Sequence, residues 1–124
     1  IFLGTSDSRE GWGAVINESM NAACTVIANQ RMGSVPFLIK HKENGLMYNT
    51  YNELEENVKM AIADKELRRK LGKNAYKTIT EDWTSQVAAQ NLVELFESIL
   101  NGKEYGVNDG PASKARNYKR RKKI

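Results

Sequence analysis

Short apolar runs alternate with helical stripes of apolar residues along the first hundred residues of the chain. Residues 1–5, 25–28 and 46–48 are short, mainly apolar runs, which is typical of parallel strands covered on both faces. Between and after these runs, apolar residues recur at intervals of three or four. The pattern predicts an α/β fold in which three short parallel strands lie side by side with helices packed against them.

Capping and turn residues indicate where the first helices begin and end. A first helix is predicted to begin at Gly13 or Ala14 and to reach about Cys24. The second strand should be followed by a turn and by a short helix that has ended by Ile39. The Asn-Gly pair at residues 44–45 then predicts a turn with positive φ before the third strand.

Three further helices are predicted after the third strand. Asn52 with Glu55 resembles a capping box for the first of them, Asp64 caps the second, and Thr84 caps the third. The Asn-Gly pair at residues 101–102 ends the last helix. Their apolar stripes are Leu54, Val58 and Ile62; Leu67, Leu71, Ala75 and Ile79; and Ala88, Leu92, Leu95, Phe96 and Ile99.

A glycine-containing loop joins the first strand to the first helix. Residues 10–18 read Glu-Gly-Trp-Gly-Ala-Val-Ile-Asn-Glu, and Gly11 and Gly13 allow a ligand to approach the backbone closely. The helix start leaves amide N–H groups unpaired at the positive end of the macrodipole, which favours a phosphate group. Residues 29–36 should lie at the same edge of the sheet, where ligands of open α/β sheets bind. Gly33 would then either contact a phosphate or form a plain turn.

Two carboxylates flank this phosphate-binding loop. Ionised Glu only accepts hydrogen bonds, which suits the vicinal hydroxyl groups of a sugar. Glu18 falls four residues after Ala14, one turn into the helix, from where it could reach a ribose. Glu10 remains in the loop and is expected to point at the group beyond the second phosphate.

The pair of Glu residues and the blocks that follow it resemble a known family. Two Glu separated by seven residues are similar to the signature of retaining nucleotide-sugar glycosyltransferases with the GT-B fold, the glycosyl transferases group 1. Residues 21–28, 33–39 and 44–48 resemble the next blocks of that family at its spacing. The chain differs at Ala23 and Thr25, where glycine and proline are commoner, and at Phe37, where Glu is frequent. The resemblance covers roughly residues 1–100.

The resemblance implies the second half of the C-terminal, donor-binding domain of such an enzyme, a Rossmann-like parallel sheet with helices on both faces. Glu10 would be the catalytic-site residue that contacts the donor-sugar hydroxyls, and Glu18 would bind the ribose. The backbone amides of Gly11, Gly13, Ala14 and Val15 would contact the sugar and the diphosphate. The donor would be a nucleotide diphosphate-sugar such as a UDP- or GDP-sugar, with no cofactor and no metal.

The same resemblance implies partners outside these 124 residues. An acceptor-binding N-terminal domain and a basic catalytic pair would lie upstream, so the chain is expected to be a fragment that is inactive alone. The parent enzyme would be a hexosyltransferase of polysaccharide, glycolipid or cell-envelope glycan synthesis, in the cytoplasm or peripheral on the cytoplasmic face of the membrane. The exposed stripe of the last helix, or the edge of the first strand, could pair with another chain.

Charge divides the chain into two parts. The formal net charge is +4, but residues 112–124 carry seven Lys or Arg and no acid, which leaves −3 for the rest. Residues 1–101 are therefore interpreted as the partial donor-binding domain, and residues 102–124 as a basic, disordered tail. Nucleic acid is an unfavoured partner, because Tyr118 is the only aromatic ring among these cations.

Three observations bound the remaining alternatives. The single cysteine, Cys24, and the single histidine, His41, are interpreted as packing or surface residues, and no metal-binding spacing is present. No apolar run is long enough to span a membrane. A nucleotide-sugar epimerase of the same fold, and a non-catalytic interaction module with a basic tail for nucleic acid or an anionic surface, remain as alternative functions.

Overall fold

The computed structural model describes residues 1–114. Three strands, β1 (Phe2–Gly4), β2 (Val26–Asn29) and β3 (Leu46–Tyr48), form a parallel sheet in the order β1-β2-β3. Phe2 lies beside Val26, and Ile27 lies beside Leu46. The predicted parallel sheet is confirmed.

Helices cover both faces of the sheet. In chain order they are α1 (Val15–Asn21), α2 (Val35–Leu38), α3 (Tyr51–Ala63) and α4 (Lys65–Lys77), which is followed by a π-helical turn at Thr78–Asp82. A further helix, α5 (Ser85–Leu100), belongs to a second compact unit. Because side chains alternate along a strand, Val26 and Ala28 pack with α1 and α2, whereas Ile27 packs on the other face with α3. Helix α4 contributes Ala75 to the first core and Leu71 to the second. The predicted Rossmann-like α/β class is therefore confirmed.

Helix α1 is shorter than its apolar pattern predicted. It ends at Asn21 rather than near Cys24, because Ala23 adopts the left-handed conformation with φ +55°. The amide of Ala23 donates to the carbonyl of Met20, and the amide of Cys24 donates to that of Ser19, so the last turn is closed by the backbone. Cys24 is half-buried against the core, as the packing interpretation expected.

The predicted cap of α3 is wrong by two residues. Thr50, not Asn52, is the N-cap, and Glu53, not Glu55, completes the capping box. The Glu53 carboxylate accepts from the amides of Asn49 and Thr50, at 2.7 and 3.2 Å. These hydrogen bonds hold the pKa of Glu53 below its ordinary value.

The burial of α3 and α4 differs in part from the prediction. Ile62 is 64% exposed, and Ala61 takes its place in the core. Leu71 and Ala75 of α4 are fully buried, and the Asp64 carboxylate accepts from the amide of Leu67 at 2.8 Å, as its predicted capping role requires.

The turn before β3 also differs from its prediction. The positive φ lies at Lys42 rather than in the Asn-Gly pair. Asn44 is instead a buried side chain, whose amide nitrogen donates to the carbonyl of Leu38 and to the hydroxyl of Thr78, each at 2.9 Å. It thereby ties the turn to the end of α4.

Residues 85–114 form a second compact unit, described here by itself. Helix α5 ends at Leu100, and Gly102 has φ +60°, as the Asn-Gly pair predicted. The chain then returns along α5, where the Asn91 side chain donates to the carbonyl of Pro111 at 2.8 Å. The predicted apolar stripe is exposed at Leu92, Phe96 and Ile99.

The structure describes only part of the predicted basic tail. Residues 115–124, which carry most of the Lys and Arg residues of the predicted tail, lie outside the described residues, so the disorder of the tail stays a prediction. In the described part, the Lys114 ammonium lies 2.8 Å from the Glu104 carboxylate. Among residues 1–114, no helix is long and apolar enough to cross a membrane.

Candidate functional site

The loop between β1 and α1 begins with a tight, charged turn. The guanidinium of Arg9 donates to the carboxylate of Asp7 with two contacts of 3.2 Å, and the amide of Arg9 donates to the same carboxylate at 2.9 Å. These hydrogen bonds hold the pKa of Asp7 below its ordinary value. The amide of Glu10 donates to the carbonyl of Asp7 at 3.0 Å, so the turn presents Glu10 directly after it.

Gly13 makes the bend that leads from this loop into α1. Its φ is +76°, a conformation that side chains strongly disfavour, and the residue is buried. A β-carbon at this position would lie 3.1 Å from the methyl group of Met32 and 3.3 Å from Cγ of Glu10. Glycine is therefore required here both for the backbone conformation and for space.

The start of α1 carries unpaired backbone donors, as predicted from the sequence. Counting along the chain from Gly13, the first amide that donates to a backbone carbonyl is that of Ile16, whose acceptor is Gly13. The amide of Glu18 donates to the carbonyl of Ala14. Within residues 1–114 the amides of Gly13, Ala14 and Val15 have no protein acceptor. They are donors available to an anionic ligand.

A second loop, after β2, holds the first one in place. The amide of Ser34 donates to the carbonyl of Trp12 at 2.8 Å, and its hydroxyl lies 3.4 Å from the carbonyl of Gly13. Gly33 packs directly on the backbone of Gly11. The sequence predicted the edge of the sheet at which this segment lies, but the role of Ser34 was missed, and a plain turn was expected at Gly33. The small residues Gly33 and Ser34 were the available signal for close packing.

Glu10 lines an open cleft beside the loop. The cleft has a volume of about 400 Å³, and its lining is mostly polar: Thr5, Ser6, Asp7, Arg9, Glu10 and Gly11. Glu18 lies in the first turn of α1, outside this described lining. Both Glu side chains are exposed, and within residues 1–114 neither has a hydrogen-bond or ion-pair partner. Their carboxylate oxygens can therefore accept from a ligand.

Aromatic rings cover the side of the loop that carries Trp12. The centroid of the Trp12 ring lies 5.7 Å from that of Phe37 and 5.7 Å from that of Trp83. The indole nitrogen of Trp12 donates to the side-chain oxygen of Asn17 at 2.8 Å. The sequence does not predict that these rings meet, because they come from three separate segments of the chain.

His41 is an exposed residue that accepts a hydrogen bond from the backbone of β3. Its Nδ1 accepts from the amide of Met47 at 2.9 Å, which requires that nitrogen to be unprotonated. Burial, with a smaller effect of the nearby Lys42, lowers the pKa of His41 below its ordinary value. Within residues 1–114, no three His, Cys, Asp or Glu side chains are grouped as metal ligands would be.

A parallel sheet whose carboxyl edge carries a glycine loop, free amides and two carboxylates is typical of the Rossmann-like class of α/β domains. Comparison with known sequences identifies the family within this class of domains. Residues 1–78 match the sequence model of the family "Glycosyl transferases group 1", and the chain belongs to this family.

Individual relatives agree with this assignment. The chain is 30% identical over 106 residues to "Putative glycosyltransferase YtcC" of Bacillus subtilis (strain 168), and the match covers 83% of the chain. The match spans only 26% of that relative's length.

Solved structures give the same architecture. The C-terminal domain of a glycosyl transferase group 1 family protein (LpcC) from Francisella tularensis is similar with TM-score 0.52 and 33% identity, over 57% of this chain and 37% of that one. Sucrose-phosphate synthase from Thermosynechococcus elongatus is similar with TM-score 0.58 and 25% identity, over 73% of this chain and 23% of that one. The predicted resemblance to part of the C-terminal domain of a GT-B glycosyltransferase is confirmed.

Proposed function

We propose that this chain is the donor-binding part of a glycosyltransferase, a hexosyltransferase that moves a sugar from a UDP- or GDP-type donor to an acceptor with retention of anomeric configuration. The observation that carries this proposal is the group of three free amides, on Gly13, Ala14 and Val15, in a loop that also presents Glu10. Family membership supports the same reaction class.

The diphosphate of the donor is assigned to the loop amides. Gly13, Ala14 and Val15 offer N–H groups at the beginning of α1, where the aligned peptide dipoles favour negative charge. At Gly11 a ligand can approach the backbone without meeting a β-carbon, and nothing lies within 4 Å of the position that a β-carbon would occupy. The packing of Gly33 and Ser34 against this loop supports binding by an organised backbone, which lowers the entropy lost when the ligand binds.

The two carboxylates are assigned to hydroxyl groups. A carboxylate beside a diphosphate is repelled unless it accepts hydrogen bonds, and sugar hydroxyls are the donors that a nucleotide-sugar offers. Glu18, one turn into α1, is assigned to the ribose, and Glu10, in the polar cleft, to the transferred sugar. Neither carboxylate is engaged by another described side chain, which supports these roles.

Catalysis is assigned to the longer protein of which these residues would be a part. Free amides can supply part of the charge neutralisation that a divalent ion would otherwise give, so we propose that transfer needs no metal. The acceptor-binding domain and the basic residues implied by the family resemblance would complete the site. Synthesis of a cell-envelope glycan, polysaccharide or glycolipid on the cytoplasmic side is the proposed setting.

The proposal is tested by titrating UDP and GDP into the 124-residue chain and following amide chemical shifts. We expect shifts at Gly13, Ala14 and Val15 with a nucleoside diphosphate and not with the free nucleoside. Glu18→Ala should weaken binding about ten- to a hundred-fold, since a charged hydrogen bond is worth about 1.5–3 kcal/mol.

A matched control is Glu56→Ala, because Glu56 is exposed on α3, which packs on the face of the sheet opposite α1. This variant should bind the nucleoside diphosphate as the unchanged chain does. Saturation with either diphosphate without any shift at the three loop amides would refute the assigned site.

A further inference from the structure

The chain has two tryptophans, and their rings are in contact. Trp12 lies in the middle of the glycine loop, and Trp83 follows the π-helical turn at the end of α4. Phe37, from α2, contacts the same indole ring. We call Trp12, Phe37 and Trp83 the aromatic cluster. It joins the candidate ligand loop to two distant parts of the first compact unit.

Trp83 is brought to the loop by an unusual piece of backbone. Helix α4 runs directly into the π-helical turn, and the amide of Trp83 closes that turn by donating to the carbonyl of Thr78 at 3.1 Å. Thr78 itself is fixed, because its hydroxyl donates to the carbonyl of Asn74 at 3.1 Å and accepts from Asn44 at 2.9 Å. Single π-helical turns within helices occur frequently at functional sites. Trp83 therefore reaches Trp12 from a well-anchored support.

The loop has few other side chains that could hold it. Trp12 is flanked by Gly11 and Gly13, which have no side chains with which to pack. The carbonyl of Trp12 accepts from the buried amide of Ser34, so a displacement of the Trp12 ring would also disturb that hydrogen bond. The Trp12 ring is 41% exposed, and its contacts are the two rings beside it and the hydrogen bond from its indole nitrogen to Asn17. Contact with Trp83 thus restrains the backbone from which the loop amides project.

We propose that Trp83 is a positioning residue for the glycine loop, acting on the ligand-binding amides through Trp12 without touching the ligand. The part of this inference that concerns a nucleoside diphosphate as the ligand rests on the proposed function. Its structural half, the restraint of the loop by Trp83, stands on the ring contacts and the hydrogen bond of Ser34 alone.

Three variants of the 124-residue chain test this role. Trp83→Phe retains a ring, Trp83→Leu removes it, and Val58→Ala removes apolar contacts in the core on the other face of the sheet. The structural readout is a ratio of two amide exchange rates. The first is the rate at Ser34, whose amide donates to the carbonyl of Trp12, and it is divided by the rate at Gln30, whose amide donates to the carbonyl of Tyr48. The ligand readout is the dissociation constant of UDP.

Trp83→Leu should raise the Ser34-to-Gln30 exchange ratio about three- to tenfold, as expected for the loss of one aromatic pair. The dissociation constant of UDP should increase by a similar factor. Trp83→Phe should lie within about twofold of the unchanged chain in both measurements, because the ring contact is retained. Val58→Ala should lower global stability while leaving the exchange ratio and UDP affinity unchanged.

An unchanged exchange ratio in folded Trp83→Leu would overturn the inference, as would an equal change in Val58→Ala. If Trp83→Leu does not fold, Trp83→Met removes the ring but keeps a long apolar side chain, and it decides the structural half by the same ratio. If the unchanged chain binds no UDP, the proposed function has failed. The Ser34-to-Gln30 ratio still shows whether Trp83 restrains the loop, so the two failures are distinguishable.

Discussion

Gly33 lies so close to Gly11 that a β-carbon at position 33 would overlap the carbonyl oxygen of Gly11. The two glycines belong to loops that follow neighbouring strands, β1 and β2. Their contact, with the hydrogen bond from Ser34 to Trp12, joins these loops into one unit at the carboxyl edge of the sheet. The shape of the candidate ligand loop therefore depends on a residue that does not belong to it.

Replacement of Gly33 by Ala should destabilise the chain. The new methyl group forces the two loops apart, and overpacking of this kind typically costs about 1–3 kcal/mol. Urea denaturation followed by circular dichroism measures the loss. Gly11→Ala is the matched control, because nothing lies within 4 Å of a β-carbon at position 11. Equal stability of Gly33→Ala and the unchanged chain would contradict the close packing of the loops.

Replacement of Ala23 by Gly should stabilise the chain. Ala23 has φ +55°, a conformation that costs a residue with a β-carbon about 1–2 kcal/mol. Glycine removes that strain but loses more backbone entropy on folding, about 0.5–1 kcal/mol. A net gain of roughly 0–1.5 kcal/mol follows. Ala22→Gly, at φ −82°, should have the opposite sign in the same urea titration. A loss of stability in Ala23→Gly would refute the strain.

Stability should decrease as the pH falls from about 7.5 to 5.5, partly through His41. The pKa of His41 is lowered in the folded protein, so the unfolded chain binds more protons below the unperturbed pKa of about 6.5. The contribution of His41 is therefore present above that value and is lost as the pH falls through the folded-state pKa. His41→Asn retains an acceptor for the amide of Met47 without a titrating ring. Its stability should change less over this interval, and an unchanged slope would exclude His41 as the cause.

Glu10 and Glu18 should differ in the step that they affect. In a full-length transferase containing these residues, Glu10→Ala should leave the affinity for the nucleoside diphosphate within about twofold, because its assigned partner is the transferred sugar. Transfer from the complete donor should fall instead. Glu18→Ala should weaken the affinity for nucleoside diphosphate itself. Calorimetry beside transfer kinetics separates the two effects, and equal loss of nucleotide affinity in both variants would refute the division.

Much of the fold and part of the site could be predicted from local sequence. The strands were placed correctly because short apolar runs between helical stripes have few other arrangements. The start of α1 was placed within one or two residues, at Gly13 or Ala14 instead of Val15, since a helix start depends mainly on the residues around it. The family resemblance was visible because Glu10 and Glu18 keep their spacing along the chain.

Tertiary contacts decided what local sequence left open. Asn52 and Thr50 are comparable N-caps by residue type, so local sequence does not decide between them. In the folded chain Thr50 caps α3, and Asn57 of the same helix donates a hydrogen bond to the carbonyl of Met47. Helix α1 also ends earlier than predicted, and just beyond this end Gly72 of α4 packs closely against the carbonyl of Ala23.

The aromatic cluster and the Gly33–Gly11 contact were decided in the same way. Trp12, Phe37 and Trp83 are far apart in sequence, and no local pattern indicates that their rings meet. The sequence alone determined the strands, the glycine loop and the spacing of the two carboxylates, because these depend on neighbours along the chain. The support beneath the loop depends on the packing of β1, β2, α2 and α4, and only the folded chain brings those segments together.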